Sequence, residues 1–252
     1  MEILRDLING ITSDAPVKEV TKGIYWTAVI SRFCGLSSTM IRDCASDENG
    51  ETFHEKPYSE MTALELARYS LVPDIARASV GLAAVNSLIE PDYSRCVEMN
   101  ASEFLIEHGK GMNVSVVGHF PFTDDLRKVA KTLRVIEKWQ RPGDCPEGDA
   151  EQYLPLSDII AMSSTTLINH TLNGLLKLCP EGSIKMLLGP TTPFSEVFFQ
   201  HGIDIISGSR VLDTNAALKS IREGANFRQL KRTGAVRLLT MVNKRIEQKL
   251  KI

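Results

Sequence analysis

The residues best suited to chemistry lie where apolar segments of the sequence end. His119 follows the apolar run NVSVVG, Glu137 ends the run LRVIE, and Asp144 lies in the polar segment RPGDCP just beyond it. An imidazole in such a place can ligate a metal, hydrogen-bond a ligand or transfer a proton near neutral pH, or simply order its loop. An acid there can be ligand-binding or merely solvated. We predict that His119 and Glu137 are catalytic and that Asp144 binds the ligand.

Hydroxyl and amide side chains follow three further apolar runs, in the segments SSTTLINHT, GPTTP and SGS. A Ser or Thr at the start of a helix is first of all a cap for unpaired backbone N–H groups, although a run of hydroxyls can also cradle a carboxylate or phosphate. Asn inside a helix is harder to explain by capping. The predicted ligand-binding residues at these segments and beside His119 are Gly118, Phe120, Pro121, Thr165, Asn169, Thr171, Gly189, Pro190, Thr191, Thr192, Pro193, Ser207 and Gly208.

Signatures of the common enzyme classes are missing from the sequence. The segment GHFP has one glycine of the dinucleotide fingerprint G-x-G-x-x-G, and its bulky residues disfavour ordinary NAD binding. There is no G-x-S-x-G, H-E-x-x-H or P-loop sequence. His119, the two acids and Cys145 can supply metal ligands, but no pair has a diagnostic spacing.

The elements that must position these residues follow two different patterns. From residue 113 onward, apolar strand-like runs alternate with amphipathic helical segments, which indicates a parallel sheet covered on both faces. We predict a Rossmann-like domain, in which the carboxyl ends of the strands meet at one edge and bind a small molecule.

The first half of the chain has a different pattern. The first 45 residues alternate short β-branched and aromatic segments with turn signals and predict an antiparallel meander, and Asn49-Gly50 predicts a tight turn. Spacing of three and four predicts helices from Thr62 to Leu71 and from Pro73 to Ile89. Together these segments predict an α+β domain.

Composition places the chain among ordinary globular proteins. Its 252 residues include 43% hydrophobic residues, with 29 Lys plus Arg against 31 Asp plus Glu. No apolar run reaches the roughly 20 residues that cross a bilayer, and the first ten residues carry acids where a signal peptide is basic. We therefore expect no membrane association and a cytoplasmic location, with most of the five scattered cysteines reduced and packed.

Basic residues are concentrated near the end of the sequence. Residues 228–252 hold eight Lys or Arg against one acid, a net charge of +7. No aromatic platform for bases accompanies them, so we predict a solvated strand and helix and no nucleic-acid partner.

Several of these segments together resemble a bacterial and archaeal family known as the putative heavy-metal chelation proteins. They occur in order across residues 78–216 and comprise ASVGLAAVN, VVGHFP, VIEKWQRPGDCP, TTLINHTL, LLGPTTP and FFQHGIDIISGSRV followed by DTNAA. VVGHFP and GPTTP are the most specific. Cys145 stands where relatives can carry an aromatic residue. A role for its sulfur as a soft metal ligand would therefore depend on a position whose residue varies in the family.

The resemblance implies an enolase-N-terminal-like domain, residues 1–105, joined to a Rossmann-like domain, residues 106–252, with the site in the cleft between them. It also implies that Asn86 in GLAAVN reaches that cleft.

The resulting hypothesis is a protein that binds a small polar or anionic metabolite in an interdomain cleft and acts in making or handling a heavy-metal chelator. The sequence leaves open whether it is an enzyme. The candidate cofactor is a divalent transition metal, and a homodimer is expected from base rates alone. Two alternatives remain: a non-catalytic protein that binds a metal or metal chelate, and a Rossmann-like enzyme that uses a nucleotide or S-adenosylmethionine.

Overall fold

The first half of the chain begins with a helix and continues into a three-stranded antiparallel sheet. In this computed structural model, which describes residues 1–41, 56–97 and 99–250, helix α1 spans Glu2–Asn9. The strands that follow are Glu19–Lys22 (β1), Trp26–Ile30 (β2) and Cys34–Ser38 (β3). The predicted meander is confirmed. The meander does not fill the first 45 residues as predicted, because the apolar residues of α1 recur at helical spacing and are buried.

Two helical segments complete the first half. Helix α2 spans Ala63–Ala67 and continues as a 3-10 turn over Arg68–Leu71, so the helix predicted there is α-helical only in its first part. Helix α3 spans Ile75–Leu88, as predicted, and begins where the Asp74 carboxylate accepts a hydrogen bond from the Arg77 N–H. The predicted turn at Asn49-Gly50 lies outside the described residues.

The second half builds an eight-stranded sheet. Its strands are Cys96–Val97 (β4), Asn113–Val117 (β5), Thr132–Glu137 (β6), Cys145–Pro146 (β7), Ile159–Ser163 (β8), Ile184–Leu188 (β9), Ile205–Val211 (β10) and Val236–Val242 (β11). Strands β5 to β10 run parallel to one another, whereas β11 is antiparallel to both β10 and β4. The fold is therefore α/β with a mainly parallel sheet, as predicted.

The order of the strands identifies where a ligand would be expected to bind. Across the sheet it is β4-β11-β10-β9-β8-β5-β6-β7. When the six parallel strands are numbered in chain order, this is the order 3-2-1-4-5-6 of the Rossmann-type doubly wound sheet. The order reverses between β5 and β8, and ligands of such sheets bind beyond the carboxyl ends of the strands at that switch point.

Helices cover both faces of the large sheet. They are Ala101–His108 (α4), Thr123–Val129 (α5), Ala150–Tyr153 (α6), Thr165–Ile168 (α7), Leu172–Leu178 (α8), Val197–Gln200 (α9), Thr214–Arg222 (α10), Phe227–Arg232 (α11) and Lys244–Leu250 (α12). The segment TLINHTLNGLLKL, predicted as one helix, is two, because His170 has a left-handed φ of 62° that breaks the hydrogen-bond ladder between α7 and α8.

Apolar residues on alternate positions of the strands form two separate cores. One face of the sheet packs against α1, α2, α3 and α8, so the first half of the chain covers that face. The opposite face packs against α4, α5 and α12. A third cluster joins the outer face of the β2–β3 hairpin to α10 and α11. The two halves are therefore held together by a shared core.

The end of the sequence differs from its prediction as a solvated strand and helix. Strand β11 is paired on both sides, and its buried residues include Val236, Thr240 and Val242. Arg245 of α12 also donates to the buried carboxylate of Asp204, with Nη2 and Oδ1 2.7 Å apart. In the described part of the chain, no helix has the length and apolar character needed to cross a membrane.

Candidate functional site

A polar hollow of about 270 Å³ lies at the switch point of the sheet. It is lined by residues that follow β5, β6 and β8, and every described residue of the lining falls between residues 117 and 175. Of the predicted site residues it brings together Gly118, His119, Glu137, Thr165, Asn169 and Thr171. We call this site the switch-point hollow.

His119 is placed by a left-handed glycine at the end of β5. Gly118 has a φ of 100°, and a Cβ added there would lie 2.9 Å from the Cβ of Ser163. Any side chain would therefore strain the backbone and collide with the end of β8. The glycine lets the chain turn so that His119 reaches the hollow while Phe120 and Pro121 point elsewhere.

The imidazole of His119 has one buried and one accessible nitrogen. Its Nδ1 is buried and makes no hydrogen bond with any described residue, and the carboxylate Oδ2 of Asp144 lies 3.5 Å from it. This distance is within reach of an ion pair but too long for a good hydrogen bond. The side chain of Asp144 is only 2% exposed, and that of His119 is 24% exposed. An acid on the Nδ1 side favours a proton there and leaves Nε2 free to accept one.

Asp144 is fixed by its own turn. Its Oδ2 accepts a hydrogen bond from the Arg141 N–H at 3.0 Å, and its own N–H donates to the Arg141 carbonyl at 2.9 Å. Asp144 thus lies behind His119 as a partner of the imidazole and is not among the residues that line the hollow.

Hydroxyl and amide groups form the wall that follows β8. The Ser163 and Thr165 hydroxyls are 2.8 Å apart, and the Asn169 side-chain oxygen accepts from the Thr171 hydroxyl at 2.8 Å. The Asn169 oxygen also accepts from the Thr171 N–H, so its side-chain NH₂ is left without a described partner. His170, next to Asn169, bonds through Nε2 to the Ser70 carbonyl at 2.7 Å and so anchors this turn on the first half.

Charged groups in the hollow are mostly acidic. Glu137 and Glu147 line it together with Lys138, whose backbone N–H donates to Glu137 Oε1 at 3.0 Å. Sequence reasoning missed Glu147 and Lys138 as lining residues, although Lys138 directly follows a predicted site residue and Glu147 lies in the acidic loop beyond it. With two carboxylates against one ammonium, the hollow favours ligands that carry hydrogen-bond donors.

A second cavity, of about 420 Å³, lies along the same edge on the other side of the Gly118–Pro121 segment. We call it the aromatic groove, after its lining residues Phe120, Phe122 and Phe227. The predicted site residues Phe120, Pro121, Gly189, Pro190 and Ser207 line this groove and not the hollow. The five loops therefore do not converge on one site.

The other predicted residues line neither cavity. Asn86 donates both amide hydrogens to backbone carbonyls, of Leu36 at 2.7 Å and of Thr191 at 2.9 Å, so it joins α3 to the loop after β9. Gly208 lies in β10 where the Thr192 carbonyl packs on it, since an added Cβ would be 2.6 Å from that oxygen. The predicted residues outside both cavities are Asn86, Asp144, Thr191, Thr192, Pro193 and Gly208.

A third cavity, of about 580 Å³, is larger but lies at the opposite end of the sheet. It is lined by Met112, Asp158 and Ile184, at the amino ends of β5, β8 and β9. Ligands of parallel sheets bind at the carboxyl ends, so size alone does not make this cavity the candidate site.

The donor atoms do not suit direct metal coordination. Among the described residues there is no group of three or more His, Cys, Asp or Glu placed to hold a metal ion. Cys145, the soft candidate ligand, packs against the core and does not line the hollow, and burial raises the pKa of its thiol. Heavy metals bind thiolate, so a protonated, half-buried thiol is a poor ligand.

The fold and the site define an α/β protein with a polar hollow at the switch point of a doubly wound sheet. Two family models, both described as putative heavy-metal chelation, match residues 4–89 and 100–240. The chain therefore belongs to this family of putative heavy-metal chelation proteins, and the resemblance inferred from VVGHFP and GPTTP is confirmed.

Similar proteins include one with a curated sequence and two with solved structures. An uncharacterised protein of Methanocaldococcus jannaschii is 30% identical over 179 residues, which are 67% of each chain. A crystal structure of a family member of unknown function from Desulfitobacterium hafniense is 27% identical, with a TM-score of 0.82 over 96% of this chain and 98% of its own. Another, from Pyrococcus horikoshii, is 17% identical, with a TM-score of 0.79 over 96% and 98%, and supports the fold alone.

Proposed function

We propose that the switch-point hollow binds a small polar metabolite and that His119 exchanges a proton with it. The observation that carries this proposal is the asymmetry of His119, whose Nδ1 is buried beside Asp144 while the ring lines the hollow. A general base needs one nitrogen held in a fixed tautomer and the other open to the ligand. The 3.5 Å approach of Asp144 to Nδ1 supports this role, because catalytic hydrogen bonds are often long before a ligand binds.

The remaining groups of the hollow would orient the metabolite. Glu137 accepts hydrogen bonds from ligand hydroxyl or amino groups, while the Asn169 NH₂ and the Thr165 hydroxyl bind its oxygens. The excess of carboxylates supports a polar ligand with donor groups over a polyanion. Such groups are common in small molecules that chelate metals, so a role in making or handling a heavy-metal chelator is consistent with the family description.

A nucleoside-bearing ligand is the second candidate. Glu137 ends the second strand of a sheet in the order 3-2-1-4-5-6, where dinucleotide-binding proteins place an acid against ribose hydroxyls. The first loop, Gly118–Pro121, lacks the glycines that admit a pyrophosphate, which favours a ligand such as S-adenosylmethionine over NAD.

A thermal-shift screen distinguishes a polar metabolite, a nucleoside-bearing ligand and a metal as the ligand of the hollow. The panel contains divalent metals, nucleotides, S-adenosylmethionine, pterin-like compounds and small polar chelators. A ligand at about 100 times its dissociation constant adds about 2.7 kcal/mol to the free energy of unfolding. We expect an organic compound to stabilise the wild type, and this gain to be largely lost in His119→Ala.

His201→Ala is the matched control, because His201 is a partly exposed histidine that pairs with Asp6 at 2.7 Å, outside the hollow. It should keep the ligand response. Stabilisation by a metal alone, abolished by His119→Ala, would favour the metal-binding alternative. No response to any compound, or equal losses in both variants, would contradict the proposal.

A further inference from the structure

The aromatic groove is built by segments that are far apart in the sequence. Met99 precedes α4, Phe120 and Phe122 precede α5, Pro190 follows β9, and Phe227 begins α11. The rings of Phe120 and Phe122 are stacked, with centroids 5.1 Å apart and an angle of 15° between their planes. Together they present flat apolar surfaces of the kind that line small-molecule sites.

One wall of the groove is fixed by contacts behind it. The ring of Phe227 packs against Trp26 of β2, with centroids 5.6 Å apart. Helix α11 is held by a capping box in which the side chains of Asn226 and Gln229 each bond the other's backbone N–H. The Phe227 wall is thus preorganised and does not have to form when a ligand arrives.

Lys231 brings a charge to this apolar surface. Of the described residues that line the groove, Lys231 alone has a charged side chain. Its ammonium has no acidic partner in the described part of the chain. Its neighbours on α11 include Arg228 and Arg232, so this helix carries three positive charges and no acidic residue. The basic residues that the sequence analysis could not connect to function thus supply this groove with a cation.

We propose that the aromatic groove is a second ligand site, which binds a flat aromatic carboxylate or sulfonate. The aromatic part packs against Phe120, Phe122 and Phe227, and the anionic group pairs with Lys231. The cavity of about 420 Å³ lies within the usual size range for a small organic ligand. The site is independent of the switch-point hollow, because the two share only the segment that separates them.

Two naphthalene dyes test the proposal, the anionic anilinonaphthalene sulfonate and the uncharged N-phenylnaphthylamine. Fluorescence titration should give saturable binding of both. Lys231→Gln should weaken binding of the sulfonate about 3- to 5-fold, as expected for a partly exposed ion pair, and change binding of the uncharged dye less than about 2-fold. Phe120→Ser should weaken binding of both dyes about tenfold or more, because it removes an aromatic contact.

Arg228→Gln is the matched control, since it removes a positive charge from the same helix at a residue that does not line the groove. It should leave both affinities within about 2-fold of the wild type. Leu238→Asn, at a groove residue that is 41% exposed, replaces Phe120→Ser if the latter fails to fold by thermal melting. The proposal is overturned if neither dye binds, if Lys231→Gln and Arg228→Gln have equal effects, or if neither apolar substitution weakens binding.

Discussion

The switch-point hollow and the aromatic groove occupy the same edge of one sheet but are built in different ways. The hollow is lined by residues 117–175, and its polar atoms are tied to one another, as in the pair Asn169–Thr171. The groove is lined by residues spread from Met99 to Leu238, and its charged group, Lys231, is unpaired among the described residues. A preorganised polar site and an apolar site with a free cation thus lie side by side.

The difference shows how one short segment can serve two surfaces. Gly118 turns the chain at the end of β5, after which His119 faces the hollow and Phe120 the groove. The strands that border the hollow are β5, β6 and β8, whereas β9 and β10 border the groove. The segment Gly118–Pro121 is therefore the partition between them.

The largest expected effect comes from altering this partition. Gly118→Ala forces a non-glycine residue to a φ of 100° and places its Cβ 2.9 Å from Ser163. We expect the free energy of unfolding to fall by about 3 kcal/mol, the sum of backbone strain and steric overlap. Binding in the hollow and in the groove should both weaken. Urea denaturation and the two binding assays measure these effects.

Gly202→Ala separates the energetic cost of a left-handed backbone from the cost of steric overlap at the added Cβ. Gly202 has a φ of 81°, but nothing lies within 4 Å of an added Cβ. Its alanine variant should lose only about 1–2 kcal/mol, the cost of the left-handed backbone, and should keep both sites. If Gly118→Ala is no more destabilising than Gly202→Ala, or if it spares either site, the partition is not as rigid as the geometry implies.

The hollow was largely predictable from sequence and the groove was not. His119 and Glu137 end apolar strands that are neighbours in a parallel sheet, so their convergence follows from the alternation of strands and helices. The groove depends on β11 pairing with β10 and with β4, a long-range arrangement that no local pattern in the sequence encodes. The sequence therefore offers no reason to single out Lys231 among the eight basic residues near its end.

Other misses have local physical causes. The left-handed His170 divides a segment whose apolar spacing alone indicates one helix, because a non-glycine residue carries no sequence signal for such a φ. Asn86 was expected at the cleft because the family resemblance implied it, yet it donates to carbonyls of two neighbouring segments. A hydrogen bond to a distant backbone group is visible only once the fold brings the segments together.

Two asparagine variants should separate the two sites. Asn86→Ala removes the donors to Leu36 and to Thr191, beside the groove wall at Pro190. We expect a loss of about 2 kcal/mol in the free energy of unfolding, because two carbonyls lose their donor, with weaker dye binding in the groove and no change in the hollow. Urea denaturation and dye titration measure the two effects.

Asn169→Ala is its counterpart, because it removes the acceptor for Thr171 at the hollow. It should cost about 1 kcal/mol, as for loss of a cap, and should weaken binding only in the hollow. If either variant weakened binding equally in the hollow and in the groove, the two sites would not be separate.

The smallest expected effect concerns metals in the hollow. Burial raises the pKa of the Cys145 thiol above its ordinary value of 9.0, so at neutral pH the thiol holds its proton and a metal would have to displace it. Cys145→Ser should therefore change the thermal response to Zn²⁺ or Ni²⁺ by less than about 1 °C, well below the shift of several degrees that 1 kcal/mol produces. A larger change would mean that the Cys145 thiolate coordinates a metal, and would bring back the metal-binding alternative.

The protonation state behind this expectation can be checked directly. The rate of alkylation at Cys145, followed by mass spectrometry of its peptide, should still rise as the pH passes 9, because the thiolate fraction is still increasing there. Cys179, whose pKa is raised to about 11 by deeper burial, supplies an internal comparison and should react more slowly while the pH is well below its pKa. A Cys145 rate that is already constant at pH 8 would mean that a thiolate is present near the hollow. The polar site beside the aromatic groove would then also have a soft metal ligand next to it.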